Sequence, residues 1–107
     1  MPKEMPKEKL LVKIHETSRE VVALADKSLV GKKFEDGKLQ LDVNEHFFKG
    51  SEISEEKAIK LLKEKLEDDA CFNFVGENSV QAGIKAGIIN RENIIKIQGI
   101  PHAMMLM

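Results

Sequence analysis

The chain has no tryptophan, no tyrosine and one cysteine, and its aromatic content is limited to five phenylalanines. A lone Cys71 cannot form an internal disulfide, so the fold has to hold by packing, as expected of a protein kept in a reducing cytoplasm. Net charge is nearly absent too: 17 basic side chains face 18 acidic ones. Residues 1–50 carry ten and nine of these, so neither half is a basic arm or an acidic tail. The strongly basic surface that would point directly to nucleic acid or an anionic membrane is missing. No apolar run is long enough to cross a bilayer, and the charged start Met1-Pro2-Lys3-Glu4 has no apolar stretch of the kind a secretory leader needs. These absences leave a small cytoplasmic protein, of 107 residues and 42% hydrophobic content, as the class to explain.

What is present is hydrophobic periodicity. Met-Pro-Lys-Glu occurs twice over residues 1–8, and residues 1–9 read as a disordered tail ahead of a single globular domain over 10–103. Residues 104–107 read as an apolar C-terminal tail. Leu10, Val12 and Ile14 alternate as a strand face, and Val21–Ala25 resumes after the polar break Thr17–Glu20, which suggests a hairpin. Lys27–Gly37 reads as irregular, and Lys38–Val43 as a strand with Leu39, Leu41 and Val43 inward. At Ser54 the period changes from two to about 3.6. Ser54 caps a helix with Glu55 and Glu56 in its first turn and Ala58, Ile59, Leu62 and Leu66 along one face. Phe72–Val75 is a short strand ended by Gly76. Asn78 is placed to cap a second helix that Gly87 terminates, Ile94–Ile97 is a final strand, and Gly99–His102 breaks it. The expected fold is α+β: a mixed five-stranded β-sheet in the order β-β-β-α-β-α-β, with helices mainly on one face.

Candidate functional residues collect in three loops. Gly31-Lys32-Lys33-Phe34 lacks the glycine and hydroxyl pattern of a phosphate-binding loop, yet Lys32 and Lys33 could meet a phosphate; a solvated loop anchored by Phe34 explains the same residues. Gly76 and Asn78 stand where a strand turns into a helix, a place where free N–H groups bind anions. Glu77 argues against phosphate there, and ordinary capping accounts for Asn78. Gly99, Pro101 and His102 form an irregular segment at a strand end, with an imidazole able to titrate near neutrality. The spacing of His15, His46, His102 and Cys71 matches no metal site, and neither metal nor cofactor is expected. Phe47 and Phe48 are adjacent and cannot both enter one core, so one is a candidate contact or base-stacking platform. Met104, Met105 and Met107 either dock on their own core or meet another chain. With no catalytic cluster in view, the leading expectation is a non-catalytic binding module with RNA or a protein of the translation machinery as partner. The alternatives are a small-molecule site or enzyme where Gly76–Asn78 meets Gly99–His102, and an assembly subunit using the Met-rich end. Oligomeric state is open.

Four blocks are similar to the small archaeal family known as domain of unknown function 424. They are Leu29–Gly37, Leu41–Val43, Asn73–Glu77 with Ala86–Ile88, and Gly99–Ala103. The resemblance runs from about Leu10 to Ala103. It implies a free-standing, cytoplasmic archaeal domain and supplies no activity.

Overall fold

The computed structural model describes residues 9–106, so the duplicated start and Met107 lie outside the described residues. Strands β1 (Leu10–His15) and β2 (Val21–Asp26) form the expected antiparallel hairpin. After a 3-10 turn at Lys27–Leu29 come β3 (Lys33–Asp36) and β4 (Leu39–Asp42), then helix α1 (Glu45–Phe48) and β5 (Ser51–Ile53). Helix α2 (Glu55–Glu67), β6 (Cys71–Val75) and helix α3 (Glu77–Lys85) follow. A second 3-10 turn at Arg91–Asn93 leads into the closing hairpin of β7 (Ile95–Ile97) and β8 (Ile100–Met105).

The fold is α+β, with a mixed sheet in the order β5-β1-β2-β6-β8-β7. That sheet has six strands, not five. β2 and β6 pair in parallel, and the other neighbours are antiparallel. The strand expected at Lys38–Val43 is not part of it: β4 pairs only with β3, as a separate two-stranded sheet. Leu41 and Val43 are buried as expected, whereas Leu39 is exposed.

Alternation on the two central strands divides the core. Val22 and Leu24 of β2, with Phe72 and Phe74 of β6, pack under α2 and α3, where Ala58, Leu62, Val80 and Ala82 meet them. Burying Leu62 in full contributes roughly 1.5–3 kcal/mol. Ala23, Ala25 and Val75 face the other way, under Leu41, Val43 and Phe48. Both faces of β2 and β6 are therefore covered, which is why their sequences read as nearly continuous apolar runs. The larger helices occupy one face; α1 and the β3–β4 hairpin cover the other.

The strand ends before Gly99 as expected, but it is not the last one: the chain turns at Gln98–Gly99 and Ile100–Met105 returns beside it as β8. Gln98 and Gly99 both have positive φ (51° and 77°), as a two-residue type I′ hairpin turn requires. Pro101 is tolerated inside β8 because its missing N–H falls opposite Gly76. The Gly76 carbonyl accepts from Val80 of α3 instead, and the Gly76 N–H donates to the Pro101 carbonyl at 2.9 Å. Met104 and Met105 thus belong to β8: Met105 packs against the helix-side core and Met104 is 52% exposed. Among the described residues no helix is long and apolar enough to cross a membrane.

Candidate functional site

The strand-to-helix turn at Gly76 does not offer free N–H groups. Asp26, the last residue of β2 and only 4% exposed, points to the helix face as Val22 and Leu24 do. Its carboxylate accepts from the Ser79 N–H (2.8 Å), the Ser79 hydroxyl (3.0 Å), the Asn78 N–H (3.2 Å) and the Asn78 side-chain amide (3.2 Å). Asn78 therefore does not cap α3. The helix starts at Glu77, two residues earlier than an Asn78 cap would place it, Gly76 holds the N-cap position without a side chain, and Asp26 supplies the cap from another strand. A carboxylate of the chain itself fills the place where a bound phosphate would sit. Gly76 is required: its φ is +103°, and a Cβ there would lie 2.4 Å from the Asp26 carboxyl carbon.

Beside this turn a cleft of about 520 Å³ runs between α3 and the β7–β8 hairpin. Its apolar floor is Val80, Ile84, Ile94 and Pro101. Asn78, Glu77 and Gln81 line the α3 side, and Arg91 and Lys96 line the opposite side. The register Lys96↔Pro101, together with the Gly76–Pro101 hydrogen bond, sets Lys96 near the first turn of α3. Arg91 enters from the turn preceding β7. Among the described residues the side chains of Glu77, Gln81, Arg91 and Lys96 make no hydrogen bond or ion pair. Two cations, one carboxylate and one amide thus stand around an apolar floor with their polar atoms uncommitted. Among the described residues no histidine, cysteine or serine lines the cleft.

Of the residues singled out in the sequence, the fold brings Asn78 and Pro101 into this cleft, with Gly76 directly beneath. His102 is not with them. It alternates to the opposite face of β8, where its Nδ1 lies 3.0 Å from the Phe74 carbonyl oxygen and burial pushes its pKa below the ordinary 6.5, partly offset by that hydrogen bond. Among the described residues no carboxylate partners it; Asp42 is exposed at the end of β4. Gly99 sits in the hairpin turn, where a Cβ would meet no atom of the described residues beyond its chain neighbours within 4 Å. Lys32 and Lys33 are exposed at the start of the β3–β4 hairpin and do not line the cleft. That hairpin still touches the closing turn: the Gln98 N–H donates to Asp36 at 3.2 Å and its side-chain amide to the Glu35 carbonyl at 2.7 Å.

Neither phenylalanine of the adjacent pair stands free. Phe48 is 3% exposed in the core, and half-buried Phe47 stacks on His15 at 4.4 Å and meets Phe48 edge-on at 4.9 Å. Met107 lies outside the described residues. Among the described residues no three His, Cys, Asp or Glu side chains gather as a metal site would require. Sequence reasoning missed Asp26, Gln81, Arg91 and Lys96. Asp26 left one signal, an acid closing the apolar run Val21–Ala25.

Fold and site together define a class: a small α+β protein with a mixed sheet and a polar-rimmed cleft between a helix and an edge hairpin. The chain belongs to the family described as protein of unknown function (DUF424), whose model matches residues 15–107. The match runs through the Met-rich end. Among solved structures, the chain is similar to an uncharacterized conserved protein from Methanopyrus kandleri. The two share 26% identity, with a TM-score of 0.82 over 91% of this chain and 90% of the other. No curated protein matches the chain.

Proposed function

We propose that this protein is a non-catalytic binding module whose ligand lies in the cleft between α3 and β7. The reading rests on one observation: Arg91 and Lys96 stand unpaired at the rim of a cleft with an apolar floor. A volume of about 520 Å³ lies within the range of small-ligand and short-segment sites, roughly 300–1,000 Å³. The matching ligand carries an anionic group next to an aliphatic one. Binding modules need complementarity alone, and the cleft lining lacks the nucleophile–base pairing that a hydrolytic or acyl-transfer site uses. The RNA expectation gains no support from Lys32 and Lys33, which are outside the cleft.

Hexanoate, an anion on a short aliphatic chain, is a suitable probe in an amide-detected NMR titration. It is expected to shift the amides of residues 77–84 and 91–96 with a dissociation constant on the order of millimolar, while hexanol and acetate do so less. Shifts confined to other parts of the chain, or none, would overturn the reading.

A further inference from the structure

β7 is the edge of the sheet, and the cleft runs along it. The geometry of the closing hairpin decides which backbone groups on that edge are open. A two-residue turn makes Ile97↔Ile100 a hydrogen-bonded pair, so the next pair, Lys96↔Pro101, is the kind that makes no mutual hydrogen bonds. The N–H and carbonyl of Lys96 therefore face outward, away from β8. Nothing among the described residues bonds to them. The neighbouring outward N–H groups are already used, Ile94 by the Arg91 carbonyl at 3.2 Å and Gln98 by Asp36. A single open donor–acceptor rung remains, directly beside the rim cations.

We propose that the ligand of this cleft is an extended peptide segment that adds to the β7 edge at Lys96 and sends alternate side chains, one acidic and one aliphatic, into the cleft. This rests on the cleft being the binding site and names its occupant. A strand added to an open edge takes affinity from main-chain hydrogen bonds and specificity from pockets for every second side chain. Here the backbone rung at Lys96 supplies the first. The second comes from the charge of Arg91 and Lys96, which selects an acidic side chain, and from Val80, Ile84 and Ile94, which select an aliphatic one. Exposed edges are usually blunted by charge or proline, and β7 carries one such charge, Lys96, which an acidic partner would neutralise.

The test uses the peptide acetyl-Ser-Glu-Ser-Leu-Ser-amide, with hexanoate as the control, on the full chain and two variants, Lys96→Ala and Lys96→Pro. Both variants lose the charge, but only the proline loses the outward N–H, at an edge position where no ladder bond to β8 depends on it. The peptide is expected to bind Lys96→Pro about tenfold more weakly than Lys96→Ala, while hexanoate binds the two equally. If thermal melting shows Lys96→Pro unfolded, peptides N-methylated at alternate residues take its place. One methylation pattern should then weaken binding to the full chain about tenfold and the other leave it unchanged. Equal peptide affinities across the variants, or across the methylated peptides, with hexanoate still bound, would overturn strand addition and leave the cleft reading standing. Failure of both probes would overturn both. A doubled mass in light scattering that the peptide does not reduce would assign the edge to a second copy of the chain, and would equally overturn the proposal.

Discussion

Replacing Asp26 by alanine is the severest single test of how this site is built. The carboxylate is 4% exposed and takes four hydrogen bonds from the first turn of α3. Two of the donors, the Ser79 N–H and hydroxyl, belong to a fully buried residue, out of reach of bulk water. Leaving a buried donor unsatisfied costs about 1–3 kcal/mol, and loss of a helix cap about 0.5–2 kcal/mol. The Asn78 donors are half-buried and recover part of their loss by hydration. Because the terms overlap, the expected cost is about 3–4 kcal/mol rather than their sum. For a chain of this size that lowers the melting temperature by roughly 15–25 °C. Urea unfolding is the assay: the midpoint should fall with the slope unchanged. Asp26→Asn should also destabilise, since its amide turns a donor toward other donors. A cost below about 1 kcal/mol for Asp26→Ala would refute the assignment of Asp26 as the cap of α3.

Gly76→Ala should cost about 2 kcal/mol or more, through its positive φ and the collision with Asp26; combined with Asp26→Gly it should cost less than the two singles added, which a double-mutant cycle in urea measures. Asn73 has a buried side-chain oxygen with no hydrogen-bond partner among the described residues, so Asn73→Val should raise stability by about 1 kcal/mol, and a loss of stability would contradict that. His102 should titrate below 6.5 by NMR. With its folded pKa depressed, its stability contribution is complete above 6.5 and is lost as pH falls through the folded value, a dependence that His102→Phe should remove.

The elements legible in the sequence were those whose period is set by burial on one face. β1 and α2 emerged nearly complete because Leu10, Val12 and Ile14, and then Ala58, Leu62 and Leu66, repeat at the spacing of their element. β3 was hidden because Lys33–Asp36 has a single apolar residue and packs through Phe34 alone. β5 was too short and polar to register, and β8 was masked by a proline whose cost vanishes only once Gly76 is known to face it. The site was half visible for a similar reason. Gly76, Asn78 and Pro101 announce a turn, but Asp26 lies 52 residues before Asn78 and reaches it through the parallel pairing of β2 with β6. Arg91 and Lys96 look like ordinary surface charges until the β7–β8 hairpin sets them across from α3.

On the function proposed above, Arg91 and Lys96 make the cleft a receptor for an anionic, partly aliphatic group. The direct measurement is the affinity of the wild-type chain and of the variant Arg91→Glu/Lys96→Glu for hexanoate and for hexylammonium. Both side chains are exposed and unpaired, so the variant should keep its stability within about 1 kcal/mol. It should lose hexanoate and gain hexylammonium at the same amides, 77–84 and 91–96. Unchanged hexanoate binding in that variant would contradict the claim.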